Sequence, residues 1–158
     1  MTGDSSFWRF SLRIYAAAGV ADECLVLQEQ YGIDVNVLLF CTWLGVERRI
    51  AMSADEIESC ERGVADWQAR TVKPLRAARQ AMKGLAAAEG LRTQVKALEL
   101  EAERLEQEML FALADEHWPD YGDAAATDAL RSNLDRFLHS QGAPGSQAVP
   151  HLIAAAAT

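Results

Sequence analysis

The sequence predicts an all-α fold, a helical bundle with a long C-terminal helical hairpin. Three observations predict it. Apolar residues recur three and four apart along most of the chain, and no stretch alternates apolar with polar as a half-buried strand does. Alanine is abundant and loses no side-chain entropy in a helix, while the four prolines fall mostly outside the apolar runs. Cap-forming residues precede several of those runs, and glycines follow them.

The elements follow in order. A first helix is expected over about 6–18, with Ser5 or Ser6 as cap, Phe7, Phe10 and Ile14 on one face and Gly19 as its stop. A second, about 22–31, lines up Cys24, Leu27 and Tyr31 and ends at Gly32. Asp34 stands where a third helix needs an N-cap, and 35–44 is apolar on every side, which places that helix at the centre of a bundle before Gly45 ends it. Ser53 and Glu56 form a capping box for a fourth helix with Ile57, Cys60, Val64 and Trp67 as its stripe. Pro74 breaks or kinks the path, and a fifth helix starts there and runs to about Leu85.

Gly84 and Gly90 bracket an alanine-rich joint ahead of the longest helix, about 91–118, which Pro119 stops. Leu91, Val95, Leu98, Ala102, Leu105, Met109 and Ala112 form a heptad seam along it. A last helix is expected over 124–139. The Gly-, Pro-, Ser- and Ala-rich segment 141–158 reads as a flexible tail that Leu152 and Ile153 are too few to anchor. The domain expectation is therefore one helical domain over 1–140, with a compact part at 5–72 and a hairpin at 74–118.

The N-terminal motifs carry a resemblance. Phe7-Trp8-x-Phe10-Ser11-Leu12-x-x-Tyr15, Gly19-Val20, Cys24-Leu25-x-Leu27-Gln28 and Tyr31-Gly32-x-Asp34-Val35-Asn36-x-Leu38-Leu39-Phe40-x-x-Trp43-Leu44 stand in that order. Val72-Lys73-Pro74-Leu75-Arg76 and Glu99-Leu100-Glu101-Ala102-Glu103 follow. Over residues 7–115 the chain resembles an uncharacterised proteobacterial family of small helical proteins, a domain of unknown function. The resemblance implies a helical fold and no activity, so no catalytic residue is carried over.

The formal charge of −8 and a pI near 4.8 argue against a nucleic-acid binder, which must neutralise phosphates. No secretory leader pattern stands at residues 1–10, and the most apolar stretch, 33–46, is too short to span a bilayer, so the expectation is a cytoplasmic protein with no membrane partner. Cys24, Cys41 and Cys60 form no CxxC pair and read as reduced, buried thiols. His117, His139 and His151 have no His or Cys three or four residues away, and neither phosphate-cradling glycine motifs nor a nucleophile elbow is present. The expectation is no metal, no cofactor and no catalytic residue.

Two groups of residues remain as candidates. Gln28, Asp34, Asn36 and Trp43 combine a carboxylate, two amides and an aromatic, as a pocket for a small polar ligand requires. Against that, Asp34 and Asn36 suit the first turn of a helix, Gln28 suits a structural polar network, and Phe7, Trp8, Phe10, Tyr15, Tyr31, Phe40 and Trp43 suit a core. The second group is Lys73, Arg76, Arg79 and Lys83, which fall within an arc of about 120° on a helical wheel. Residues 73–96 carry six basic residues and one acid, and residues 97–123 carry nine acids and one base. The basic stripe is either a docking surface for an anion or an acidic partner, or a face leaning on the acidic helix of the same chain. The leading functional expectation is a protein-interaction or regulatory module acting, or self-associating, through the hairpin. The alternative is a small-molecule-binding protein or enzyme with its pocket near Gln28, Asp34 and Asn36.

Overall fold

The computed structural model describes residues 3–158. Helix α1 (Ser6–Tyr15) starts where the Ser5 hydroxyl accepts the Trp8 amide at 3.1 Å. Helix α2 (Val20–Tyr31) ends on Gly32, whose φ of 65° suits a residue without Cβ. Asp34 caps α3 (Val35–Val46), its Oδ1 accepting the Asn36 amide at 2.9 Å. The Ser53–Glu56 capping box forms in full ahead of α4 (Ala54–Trp67). Helices α1, α3 and α4 thus start at caps supplied by their own local sequence, and among the described residues there is no strand.

Pro74 does not interrupt the path. After α4 the backbone widens into a π turn at Gln68–Val72 and continues as α5 (Lys73–Ala81). The reason is local. Pro74 has no N–H for the carbonyl of Arg70 and its ring crowds that carbonyl, so the chain takes a wider turn in which the Lys73 amide donates to the Gln68 carbonyl five residues back. Gly84, at φ 81°, then helps reverse the chain, and α6 (Glu89–His117) returns antiparallel along α5 and α4.

Helix α3 lies at the centre, as its lack of a polar face predicts; Asn36 through Gly45 are all buried. Its most extensive partner is α7 (Ala126–Ser140). Gly45 sits in that interface and does not end α3: a Cβ there would lie 2.8 Å from the Leu130 backbone. Asn133 of α7 ties the chain beyond α3 in place, accepting the Met52 amide at 2.8 Å and donating to the carbonyls of Cys41 and Ile50. Phe7, Phe40, Trp43 and Phe111 stack with centroids 5.3–6.0 Å apart, and the Arg48 guanidinium lies 4.9 Å over Trp43.

Two expectations are corrected. The residues beyond 141 form a docked helix, not a flexible tail: α8 (Pro150–Ala156) buries Leu152 and Ala156, with Val149 beside them, against α1, α2 and α3. Glu23 holds its N-terminus by accepting the His151 and Leu152 amides at 2.7 and 3.0 Å, a cap supplied from 128 residues away that no local pattern announces. The heptad seam of α6 does not face the body. Of its members only Ala102 is buried, together with Glu99, Glu106, Leu110 and Ala114 from outside it, and Leu91, Leu98, Leu105 and Met109 stay exposed. Among the described residues no helix is long and apolar enough to cross a membrane.

Candidate functional site

A cleft of about 500 Å³ opens between the α1–α2–α3 side of the fold and α5–α6. Its apolar wall comes from Trp8 and Leu12 of α1, Leu25 of α2, and Ile33 and Leu39 around α3. The opposite wall is charged: Lys73, Arg76 and Arg79 from α5, Glu99 and Glu103 from α6.

Polar side chains line one end of the cleft, and the π turn builds it. Gln68, the first residue of that turn, donates from Nε2 to Glu106 Oε2 at 2.9 Å. Asn36 donates from Nδ2 to the same oxygen at 3.0 Å, and Gln107 donates from Nε2 to Asn36 Oδ1 at 2.9 Å. Helix α3, the π turn and α6 thus meet in one buried network. Glu106 is fully buried. Burial, then its hydrogen bond and charge repulsion with Asp34, push its carboxyl far above the ordinary carboxylate range, against the opposing pull of Asn36 and Gln68. The buried site thus favours the neutral, protonated form of the Glu106 carboxyl. The network leaves Oε1 of Gln68, Glu106 and Gln107 without a partner. Gln68 and Gln107 line the cleft, and Glu106 lies behind them.

The charged wall is paired within the chain. Arg76 donates to Glu99 at 3.1 Å and to Glu103 at 3.0 Å, and Arg79 binds Glu99 with both nitrogens of its fork. Burial would raise the Glu99 carboxyl, but the Arg79 and Arg76 contacts outweigh it and hold the group below its ordinary value. Glu103 goes the other way, burial raising it despite Arg76.

The sequence candidates divide accordingly. Gln28, Asp34 and Asn36 line the cleft, and so do Lys73, Arg76 and Arg79, so two groups proposed separately share one site. Trp43 does not belong to it: it is buried in the aromatic core two turns along α3 from Asn36, against Phe7 and Phe111. Lys83 lies on the turn after α5, outside the cleft. Arg76 and Arg79 face the acidic helix of their own chain, which leaves Lys73 and Lys83 as the exposed members of the stripe.

Gln68, Glu106 and Gln107 were not among the candidates. The available signal was Glu99, Ala102, Glu106, Leu110 and Ala114, a stripe three and four apart that becomes acidic toward its N-terminal end, opposite a basic helix. The thiols are not reactive centres: burial pushes Cys24 up to about 12 and Cys60 up to about 11, and raises Cys41 well above its ordinary value.

No curated protein and no solved structure matches the chain. A family described as "Protein of unknown function (DUF2390)" matches residues 6–110, a segment that contains every residue lining the cleft. The chain belongs to that family.

Proposed function

We propose that this protein binds a small amphipathic molecule in the cleft between α1–α3 and α5–α6, without itself performing chemistry on it. The observation that supports this is the pairing of an apolar wall with a buried, hydrogen-bonded polar end inside about 500 Å³ of space. Ligand pockets of soluble proteins combine those features, a mostly apolar lining with a few fixed polar groups that orient the ligand. Buried amide and carboxyl groups are costly to place unless they specify one packing or recognise something. Chemistry on the ligand is not part of the reading, because the cysteines are masked by burial and no histidine lines the cleft.

The test is a fragment screen on the full chain by ¹⁵N–¹H NMR. Binders should shift the Trp8 indole and the side-chain amides of Asn36, Gln68 and Gln107, and Leu12→Trp, which fills the mouth, should remove the shifts. Hits that map elsewhere and survive Leu12→Trp would rule the cleft out.

A second reading, an interaction or self-associating module, rests on the exposed stripe of Leu91, Leu98, Leu105 and Met109 on α6. Apolar groups repeated along one helix edge suit a partner helix or a second copy. Light scattering on the wild-type chain and on Leu98→Glu/Leu105→Glu checks it, since a self-associating stripe should give a concentration-dependent mass that the variant loses.

A further inference from the structure

We infer that a second cavity, on the opposite face of α1 from the cleft, binds a phosphate group through Arg9, Arg13 and Arg48. This site is separate from the cleft and does not rest on its proposed function.

The cavity measures about 320 Å³. Ser6, Arg9, Phe10 and Arg13 share the face of α1 that lines it, while Trp8, Ser11, Leu12 and Tyr15 line the cleft from the other side of the helix. Trp43, Glu47 and Arg48 enter from the end of α3. Two of the guanidiniums are held on rings: Arg13 lies 5.4 Å over Phe10, and Arg48 lies 4.9 Å over Trp43 and 5.6 Å over Phe111. A stacked arginine keeps its planar fork in place and loses less freedom when it binds an oxyanion. Arg48 is fixed further by donating to the Trp118 carbonyl at 2.9 Å and to Asp115 at 2.7 Å. The loop that carries Tyr121 is tied to the same point. The Gly122 amide donates to the Arg48 carbonyl at 2.8 Å, and Arg49 Nε donates to the Ala124 carbonyl at 2.8 Å. Tyr121 therefore stands at the cavity with most of its side chain exposed.

Charge selects the ligand. Among the described residues that line the cavity, three guanidiniums meet one carboxylate, that of Glu47, which leaves a surplus of two positive charges. Asp115 holds Arg48 but does not line the cavity, and neither do Asp120 and Asp123 beside Tyr121. Glu47 reaches Arg13 at 3.8 Å, and both side chains are about half exposed, so the pair is weak and yields to a stronger anion. Arg9 donates to a neutral group, the Asp4 carbonyl. Arg9 and Arg13 lie one helical turn apart and repel each other, a cost that a bound anion removes. A phosphate monoester carries close to two negative charges at neutral pH and presents three acceptor oxygens to arginine forks. A carboxylate carries one charge and would leave a cation over. The volume falls in the range of small-molecule sites, with room beside Tyr121 for an organic body.

The experiment titrates the full chain with phenyl phosphate, inorganic phosphate and benzoate by calorimetry at one low salt concentration. Phenyl phosphate should bind about tenfold or more tighter than benzoate. Arg9→Gln and Arg13→Gln should each weaken it about fivefold or more, with unchanged melting temperatures because both side chains are exposed. Glu47→Gln should tighten it by removing the competing carboxylate. Lys83→Gln removes a positive charge outside both cavities and should leave the affinity in place, as should Leu12→Trp, which fills the mouth of the cleft. Inorganic phosphate as tight as phenyl phosphate would assign the site to the free ion, and a weaker free ion would assign it to an ester whose body lies on Tyr121. Equal affinity for benzoate and phenyl phosphate would overturn the phosphate assignment. Equal losses in Lys83→Gln and Arg13→Gln would show diffuse attraction in place of a site, and a loss in Leu12→Trp would move the anion to the cleft. Absence of binding by either phosphate would also overturn the proposal, leaving the cleft reading untouched.

Discussion

Gln68 Nε2 reaches Glu106 Oε2 at 2.9 Å from the first residue of the π turn that Pro74 imposes on the α4–α5 helix. A regular α-helix through this stretch would rotate the residues on one side of the turn by about 100° relative to those on the other. The bulge therefore lets α4 present Ile57, Cys60 and Val64 to the core while Gln68 meets the carboxyl of α6 and Arg76 and Arg79 face its acids. Bulges of this kind are often retained where they aim a side chain at a functional site.

Replacing Glu106 by Gln should make stability less sensitive to alkali. The folded carboxyl titrates far above its ordinary value of 4.5, so between those values the folded state binds a proton that the unfolded chain has released. Stability from this site falls as pH rises through that window. Glu106→Gln should therefore melt higher than the wild type at pH 8, with the gap closing toward pH 4.5. Thermal melts across that range check it, and a gap that widens toward acid would contradict the protonated assignment.

The Arg79–Glu99 contact should behave as a buried pair. Removing one partner, as in Arg79→Ala, should cost about 2–4 kcal/mol, because it leaves Glu99 buried with Arg76 as its remaining partner. The exchange Arg79→Glu with Glu99→Arg should recover part of either single loss. The Glu99 carboxyl lies below its ordinary value of 4.5. Its contribution is therefore fully present above that pH and lost as pH falls beneath it. Urea unfolding at pH 7 and at pH 3 reads both effects; additive losses in the double variant would show that the two residues do not interact.

Helix α8 should contribute to global stability. Leu152 is fully buried, so Leu152→Ala should cost about 2–5 kcal/mol, and removing residues 146–158 should lower the melting temperature by several degrees. Glu23→Ala should cost about 1 kcal/mol through the lost cap. Circular dichroism melts measure all three, and an unchanged melting temperature on truncation would show that α8 is not docked in solution.

Two glycines of helical segments should respond in opposite senses to alanine. Gly45→Ala places a methyl 2.8 Å from the Leu130 backbone and should destabilise by about 1–3 kcal/mol. Gly90→Ala meets nothing within 4 Å at the start of α6 and should stabilise by about 0.5–1 kcal/mol. Denaturant midpoints compare them directly, and a neutral Gly45→Ala would mean that α3 and α7 approach less closely than described.

Much of the fold was legible because it is encoded within a few residues. The Ser5, Asp34 and Ser53 caps, the apolar α3 and the glycine at 32 each act on backbone within a turn of themselves. Charge segregation left two readings open, a docking surface or a face leaning on the acidic helix of the same chain, and Arg76 and Arg79 do meet Glu99 and Glu103. Asp34 and Asn36 could be singled out as polar groups opening an apolar helix, although only their partners make them part of a cleft.

Tertiary structure decided the rest, wherever a residue's environment depends on a segment far along the chain. A heptad of Leu98, Leu105 and Met109 gives the strongest apolar period in α6, yet that face is exposed, because the opposite face gains charge pairs with α5 and the buried network with Asn36 and Gln68. Residues 141–158 have too little apolar surface to order themselves and are held by Glu23 and a groove made by α1, α2 and α3. Trp43 and Trp8 are the same side chain in sequence terms; packing against Phe7 and Phe111 sends Trp43 to the core, while Trp8 borders the cleft. Sequence determined the helices before residue 141 and the caps at Ser5, Asp34 and Ser53, since capping and periodicity are local; the packing of α6 against α3 and α5 determined which faces were buried and brought Asn36, Gln68, Glu106 and Gln107 together beside Asp34, since burial and proton affinity depend on neighbours that only the folded chain supplies.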